Sequence, residues 1–175
     1  MNIYKQRGDH GFTLVELLGV IGIIGILLTL GIGSYSNVVR SSRDAKRQDD
    51  LKLIQIALEQ YYVDNNTYRV AGGGYAGSGI GWLGFENGGS YPLAVTRVLH
   101  TQGYLKKPLV DDPTQKPGYM IYLCSGDQIY SLSATLENPT PAETAFARDE
   151  TCNGNGANGT VTKYNKNYAV TNQPL

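Results

Sequence analysis

Few residues in this chain of 175 combine the types and spacing that catalysis requires. His100 and Cys124 come nearest, because an imidazole beside a thiol can activate it as a nucleophile. A cysteine inside a predicted strand is a poor nucleophile, however, when a second cysteine, Cys152, is available to pair with it. Ser78 lacks the flanking glycines of a hydrolase nucleophile elbow, and no zinc spacing is present. The sequence therefore predicts that the protein is not an enzyme.

Three aspartates, Asp111, Asp112 and Asp127, carry the carboxylate oxygens that calcium prefers. They do not belong to a complete calcium-binding loop, so we predict no metal and no cofactor.

The segment TKYNKNY, residues 162–168, is the one candidate for nucleic-acid binding. It interleaves Lys163 and Lys166 with Tyr164 and Tyr168, and such a patch can stack on bases and contact phosphates. Basic and acidic residues balance at 15 each over the chain, however, so no bulk charge favours a nucleic acid. We favour a solvated strand edge, with a DNA-binding protein as the weaker hypothesis.

An isolated carboxylate marks the N-terminal part of the chain. From Phe12 to Ile32 there are 21 residues, and Glu16 is the only ionisable one. As a helix this run would extend roughly 32 Å, enough to cross the hydrocarbon core of a bilayer. A carboxylate in such a segment costs about 2.5–3.5 kcal/mol near the centre and less near an end. Glu16 therefore requires a compensating partner.

Three interpretations of this segment are open from its residues. A secretory signal would be cut after the apolar run, near residues 31–33, which leaves Glu16 inside the signal. A plain transmembrane anchor leaves Glu16 unexplained. A cut between Gly11 and Phe12 would instead create a new amino group four residues from the Glu16 carboxylate.

The stretch GFTLVELL, residues 11–18, follows a short basic leader and opens the apolar run. This arrangement resembles the N-terminus of type IV pilins and the related pseudopilins, specifically over residues 11–35 and more loosely beyond. The resemblance implies that a prepilin peptidase cuts between Gly11 and Phe12 and that Phe12 becomes N-methylated. It also implies that the apolar segment is a membrane anchor first and the core of a filament afterwards.

The resemblance assigns Glu16 a partner, the N-terminal amine of Phe12 in a neighbouring subunit. A carboxylate and an ammonium inside a helix bundle both lack water, so both favour the register in which they meet. Many members of the family carry proline where this chain has Gly33. Here Gly25, Gly31 and Gly33 would loosen the helix, or would instead let neighbouring helices approach closely.

The helical pattern continues past residue 35 to about residue 65. An apolar stripe that a sheet can cover falls at positions i, i+3, i+4 and i+7, namely Ile54, Ala57, Leu58 and Tyr61. Oppositely charged residues four apart favour a solvated helix face, namely Arg40 with Asp44 and Lys46 with Asp50. Ser41 and Asp44 together weakly indicate a break in the helix.

The remaining elements follow from turn residues and alternation. Residues 71–90 predict a glycine-rich loop and residues 92–104 a short helix. Residues 118–124 and 128–137 predict strands joined at residues 125–127, and residues 164–170 predict one more strand. In the second strand, Tyr130, Leu132, Ala134 and Leu136 share an apolar face, with serines and a threonine on the other.

The predicted fold is α+β, with a long N-terminal helical spine packed against a small antiparallel sheet, which also resembles the pilin fold. We place a removed leader at residues 1–11, an apolar membrane and filament-core helix at 12–35, an amphipathic helix at 36–66 and a globular head at 67–175. A disulfide between Cys124 and Cys152 is expected if the head is exported, as in many pilins. The alternative is two free thiols.

The leading hypothesis is therefore a pilin that polymerises into an extracellular type IV pilus. A pseudopilin of a type II secretion system is the alternative, and a DNA-binding minor pilin is a third hypothesis. The resemblance implies partners: identical subunits, the prepilin peptidase, an inner-membrane assembly platform and membrane lipid. It also implies a cytoplasmic-membrane location before assembly and a surface location after it. A membrane-anchored enzyme or solute-binding protein would need a cleft that the sequence does not indicate.

Overall fold

A computed structural model of the chain describes residues 11–75, 79–86, 89–90, 94–107, 112–114, 118–149 and 164–172. Within these ranges, the side chains of residues 30–34, 85–86, 89–90, 146 and 148–149 are outside the description. The chain divides into two compact units, Met1–Val39 and Arg40–Leu175. The helices are α1 (Leu14–Asn65), α2 (Val95–Thr101) and α3 (Pro141–Asp149). The strands are β1 (Ile80–Trp82), β2 (Phe85–Glu86), β3 (Gly89–Ser90), β4 (Met120–Cys124), β5 (Ile129–Ala134) and β6 (Tyr168–Thr171).

Helix α1 is assigned without interruption from Leu14 to Asn65, so the predicted break at Ser41 is wrong. The helix ends at Asn65, which confirms the predicted end at about residue 65. Asn66 adopts a left-handed φ of 55°, a conformation that asparagine tolerates and that most side chains avoid. The Asn65 side-chain amide donates to the Tyr61 carbonyl at 2.9 Å and occupies one of the acceptors left open at the helix end.

The main sheet has the order β1-β4-β5-β6, with every neighbouring pair antiparallel. The β4–β5 hairpin turns at residues 125–127, as predicted, and all three residues have positive φ angles of 49°, 66° and 66°. Both strands are shorter than predicted, and β6 begins four residues later than predicted. The long helix and small antiparallel sheet confirm the predicted α+β fold.

The core of the second unit lies between α1 and one face of the sheet. The predicted stripe Ile54, Ala57, Leu58 and Tyr61 is buried, at 0–3% exposure. It joins the buried β5 residues Tyr130, Leu132 and Ala134 in a single hydrophobic cluster. The period of 3.6 on the helix and the period of 2 on the strand therefore predict the two sides of this core.

The opposite face of β5, which carries the serines, is buried as well. Ser131 and Ser133 are 5% and 2% exposed, and Met120, which pairs with Ser133, is fully buried. Further along the same face, the Trp82 ring meets the edge of Tyr164 at 5.5 Å between centroids. Serine is small enough to be covered when large side chains from distant segments pack over it, and local alternation carries no information about such cover.

The glycine-rich segment 71–90 contains strands as well as loop. Strand β1 pairs with β4, with Gly81 opposite Ile121. Gly79, just before β1, has a φ of +84°, and a Cβ there would lie 2.7 Å from the Leu123 carbonyl oxygen. Glycine at this position allows the edge strand to approach β4 closely.

Helix α3 was not predicted, although its start carries a sequence signal. Thr140 and Glu143 form a reciprocal capping box: the Thr140 amide donates to the Glu143 carboxylate at 2.7 Å, and the Glu143 amide donates to Thr140 Oγ1 at 3.2 Å. Pro141 stands at the first helical position, where its missing amide hydrogen costs nothing.

A buried arginine, Arg47, connects α1 to the head. Its side chain is 2% exposed, and Nε donates to Asp112 Oδ2 at 2.8 Å while Nη1 donates to Asp44 Oδ1 at 2.7 Å. Nη1 also lies 3.0 Å from Glu137 Oε1, and Nη2 donates to Thr114 Oγ1 at 3.2 Å. This part of the helix was predicted to be a solvated charged face, and that prediction is wrong because its charges meet partners from two distant loops.

The Glu137 carboxylate beside Arg47 is held ionised. Hydrogen bonds from Arg43, with a further one from Arg47, lower the pKa of Glu137 to about 2. Asp44 accepts backbone hydrogen bonds from Glu137 and Asn138 at 2.9 and 2.8 Å. The predicted pair of Lys46 with Asp50 is present at 2.8 Å, and Tyr119 also donates to Asp50.

We predict that Arg47→Met lowers the free energy of unfolding by about 3–5 kcal/mol, because it leaves Asp112 and Asp44 without their cation in a buried site. The measurement is denaturant unfolding of the full chain in detergent micelles, followed by fluorescence of the single tryptophan, Trp82.

The matched control is Lys46→Met, one residue earlier on the helix, whose side chain is 53% exposed. We expect this control to change the free energy of unfolding by no more than about 1 kcal/mol. Equal losses in the two variants would contradict a structural role for the buried cluster.

Candidate assembly segment

The first unit presents an apolar helix without a covering partner in the chain as described. Its large apolar side chains between Phe12 and Leu28 are 48–89% exposed. Gly19, Gly22 and Gly25 have no neighbouring atom within 4 Å of where a Cβ would stand. A surface of this extent is unfavourable in water and is typical of a segment that contacts lipid or other protein.

Glu16 takes part in a capping box at the start of this helix. The Thr13 amide and the Thr13 hydroxyl both donate to Glu16 Oε2, at 2.9 and 2.7 Å, and the Glu16 amide donates to Thr13 Oγ1 at 3.2 Å. The Thr-x-x-Glu spacing is a signal for this contact, which was not predicted. Part of the compensation that Glu16 requires is therefore local.

The predicted cleavage site lies just before α1. Gly11, Phe12 and Thr13 are outside regular secondary structure and exposed, and no atom lies within 4 Å of where a Cβ of Gly11 would stand. A peptidase needs an accessible backbone, and this stretch is accessible. The cleavage itself and the N-methylation of Phe12 stay predictions.

Among the residues whose side chains are described, no helix is both long enough and apolar enough to cross a membrane. Gly31 and Gly33 lie within α1, in the stretch whose side chains are outside the description. Their predicted role in helix flexibility, like that of Gly25, therefore stays a prediction.

Comparison with known proteins places the similarity in this same segment. Residues 6–32 match the family model described as the prokaryotic N-terminal methylation motif. A type II secretion system core protein G from Pectobacterium carotovorum is 38% identical over 69 residues, which cover 38% of this chain and 44% of the relative. A probable minor fimbrial protein from Dichelobacter nodosus is 36% identical over 58 residues, 33% of this chain and 36% of the relative.

A third relative, prepilin peptidase-dependent protein D from Escherichia coli, is 55% identical over 38 residues, 22% of this chain and 24% of the relative. The chain spans less than half the length of the curated relatives it matches. No solved structure matches it significantly. Over this N-terminal motif, the chain is similar to proteins of the type IV pilin and pseudopilin family.

Members of the pilin and pseudopilin family are structural proteins rather than enzymes. The names of the relatives refer to type II secretion, to fimbriae and to dependence on prepilin peptidase. The capping box, the exposed apolar helix and the accessible Gly11–Phe12 bond all lie within the matched region.

Among the described residues, the other side chains considered in the sequence analysis are not brought together into a reactive centre. His100 Nδ1 donates to the Leu105 carbonyl at 2.8 Å, which closes the end of α2. Cys124 ends β4, and no described cysteine is a free thiol. Cys152 and Ser78 lie outside the described residues, so the Cys124–Cys152 disulfide stays a prediction.

Two of the three aspartates considered as calcium ligands bind arginines. Asp112 binds Arg47, and Asp127 accepts from Arg69 Nε at 2.6 Å and from Nη2 at 2.9 Å. Asp111 lies outside the described residues. In the part of the chain that the structure describes, no group of acidic, histidine or cysteine side chains could hold a metal ion.

The nucleic-acid hypothesis loses one of its two lysines. Lys166 is 1% exposed, and its ammonium group donates to the Gly118 carbonyl. Tyr164 packs against Trp82, and Lys163 lies outside the described residues. Burial lowers the pKa of Lys166 to about 7, although nearby Asp112 opposes that shift.

The buried Lys166 predicts a pH dependence of stability. Between pH 7 and 9, the unfolded chain keeps a proton on this lysine, whose ordinary pKa is about 10.4, and the folded chain increasingly does not. Because the unfolded state then binds more protons, stability rises with pH, by up to about 1.4 kcal/mol per pH unit. We expect Lys166→Met to remove this rise.

The measurement is denaturant unfolding at several pH values from 7 to 9, below the range where tyrosines ionise. Lys46→Met, which removes an exposed lysine, should retain the slope of the original protein. An unchanged slope in Lys166→Met would show that Lys166 is charged in the folded state throughout this range.

Proposed function

We propose that this chain is a pilin, a structural subunit that is cut between Gly11 and Phe12 and polymerises into an extracellular type IV pilus. The observation that carries the proposal is the exposed apolar helix from Leu14 to Leu28, which begins two residues after the proposed new N-terminus. Such a helix needs an apolar environment on every side, and a bundle of identical helices supplies one.

In the proposed assembly, Glu16 has two partners. The capping contacts with Thr13 all use Oε2, and Oε1 has no hydrogen-bond partner among the described residues. The amine of Phe12 in a neighbouring subunit would contact this second oxygen. Hydrogen bonds from neutral groups orient the carboxylate, whereas only a cation balances its charge in a medium of low dielectric.

The proposed roles of the chain's segments follow this mechanism. Residues 1–11 would be removed, residues 12–35 would occupy lipid and then the filament core, and residues 36–66 would carry the head formed by residues 67–175. A Cys124–Cys152 disulfide would close a loop of 27 intervening residues in the exported head and contribute roughly 3–4 kcal/mol. The inner-membrane assembly platform would be a further partner.

A pseudopilin of a type II secretion system is the second candidate. The observation that favours it is the similarity to type II secretion core protein G from several bacteria, at 31–38% identity over 64–69 residues. The same N-terminal chemistry serves both filaments. The head, which these matches leave mostly uncovered, would decide between them.

The test is the mass of the N-terminal peptide of protein sheared from the surface of producing cells. We expect a peptide that starts at Phe12 and is heavier by one methyl group. Gly11→Ala should leave uncut precursor in the membrane fraction and none in the sheared fraction. Mature protein that stays with the membranes, together with lost protein secretion on deletion, would favour the pseudopilin. A start at Met1 would contradict both.

A second prediction separates the two partners of Glu16. Glu16→Gln keeps an oxygen for the capping box and removes the charge, so we expect normal cleavage but a large loss of sheared filament. Thr13→Val removes the hydroxyl and keeps the charge, costs about 1 kcal/mol of helix capping, and should assemble nearly normally.

Filament yield per cell, measured by immunoblot of the sheared fraction, checks both variants. If Thr13→Val were the defective variant and Glu16→Gln assembled normally, Glu16 would act as a helix cap only.

A further inference from the structure

An open groove of about 290 Å³ lies beside α1, in the unit that contains the head. One side of the groove is formed by α1 and the other by residues 104–107, which follow α2. Most of its lining is apolar, namely Leu53, Ile56, Ala57 and Leu105. Leu53 and Ile56 are 42% and 59% exposed, so this apolar surface is open to a ligand.

Residues 104–107 run antiparallel to α1. The Tyr104 hydroxyl donates to Asp64 Oδ2 at 2.8 Å, close to the end of the helix. Further along the chain, Asp112 contacts Arg47, which lies much earlier on α1. The two lysines that end the segment therefore follow Tyr104 in the direction of the earlier helical turns. The groove consequently has two different ends, a basic end at the lysines and an end bordered by Tyr104.

The electrostatics of the groove favour an anion at the basic end. Lys106 and Lys107 line this end, and the other lining residues include no acidic side chain. The acidic residues on the neighbouring turns of α1 are engaged elsewhere. Asp64 accepts from Tyr104, and Glu59 accepts from two other tyrosines. An anionic group is therefore attracted to the two ammonium groups and repelled from the Tyr104 end.

The size and lining of the groove together indicate an amphiphile with one apolar chain. Its volume is near the lower limit of ligand pockets, about 300 Å³, which favours one acyl chain over the two chains of a phospholipid. Lysine stems can cover an apolar chain while their ammonium groups reach a terminal carboxylate. Few polar side chains line the groove, so a sugar or a nucleotide, which would need many hydrogen bonds, is not favoured.

We propose that this groove binds a medium-chain fatty acid, with the alkyl chain on Leu53, Ile56 and Leu105 and the carboxylate at Lys106 and Lys107. The inference goes beyond the proposed function, because it assigns a ligand to the head unit and applies equally to a pilin and to a pseudopilin. Burial of the alkyl chain supplies most of the affinity, since apolar surface leaves water. The lysines are exposed and add less, but they select an anion over a neutral molecule.

The test uses the full chain in lipid nanodiscs, because a detergent would compete for the groove. The probe is dodecanoic acid that carries a photoreactive diazirine at the end of its alkyl chain. After irradiation, trypsin releases residues 53–69 and 98–106, which carry the two sides of the groove. We expect saturable labelling of both peptides, which an excess of unlabelled dodecanoic acid removes. The peptide that contains residues 14–28 is labelled from the bilayer and serves as the internal reference.

A control probe separates the charge from the alkyl chain. The methyl ester of the same photoreactive acid has the same chain and no charge. At equal subsaturating concentration it should label the reference peptide at least as well as the acid does. It should label the two groove peptides about fivefold less, because it lacks the contact with the lysines.

A matched pair of variants tests the lysines themselves, with labelling of residues 53–69 as the readout. Lys106→Gln combined with Lys107→Gln should raise the apparent Kd for the acid about fivefold and leave labelling by the ester unchanged. The control combines Arg40→Gln with Lys46→Gln, which removes two exposed cations of α1 outside the groove. This control should keep the Kd of the original protein.

Three results would each overturn the fatty-acid site. They are equal labelling of the groove peptides by the acid and the ester, labelling that excess dodecanoic acid does not reduce, and an unchanged Kd in the variant that lacks Lys106 and Lys107. Cleavage at Gly11 and filament assembly are measured on other samples, so each of these results would leave the pilin proposal intact.

Discussion

One constraint governs this molecule: a single helix, α1, has to satisfy two different surroundings. Between residues 51 and 61 one side of the helix carries an apolar stripe that packs against the sheet at 0–3% exposure, namely Leu51, Ile54, Ala57, Leu58 and Tyr61. Between residues 14 and 28 apolar side chains occupy every side and are 48–79% exposed. A one-sided stripe is completed within one chain, whereas an all-round apolar helix requires surroundings that the chain does not supply. The two compact units follow from this difference in pattern.

The buried Arg47 cluster fixes the position of α1 along the sheet, which the apolar stripe alone would not determine. Apolar contacts are not directional, so a helix can shift along a sheet at moderate cost. The Arg47 guanidinium, in contrast, meets Asp112 with two nitrogens at 2.8 and 3.2 Å in a fixed planar geometry. A shift of one helical turn, about 5.4 Å, would separate these charges inside the protein. We interpret the cluster as the device that sets the register of α1 on the head.

The sequence predicts those parts of the fold that depend on local periodicity. Patterns among neighbouring residues predict the helix of residues 14–65, its buried stripe and the β4–β5 hairpin. No such local pattern predicts the burial of Arg47 and Lys166. Their burial depends on Asp112 and Gly118, which lie 65 and 48 residues away in the sequence. A charged residue within a helix is predicted to be solvated unless its distant partner is known. The capping boxes at Thr13 and Thr140 are different. The Thr-x-x-Glu spacing in the sequence indicates each of them, although neither was predicted.

The capping contacts with Thr13 change the interpretation of the isolated Glu16 carboxylate. Thr13 satisfies hydrogen bonds of Glu16 but leaves its negative charge, so the cap lowers the cost of the group without neutralising it. No lysine or arginine lies between Phe12 and Ile32, and the segment as synthesised therefore contains no cation of its own. In the proposed mechanism, cleavage at Phe12 creates the one positive group that each segment can offer. Processing and assembly would then be linked by charge, because an uncut chain lacks the group that its neighbour's Glu16 requires.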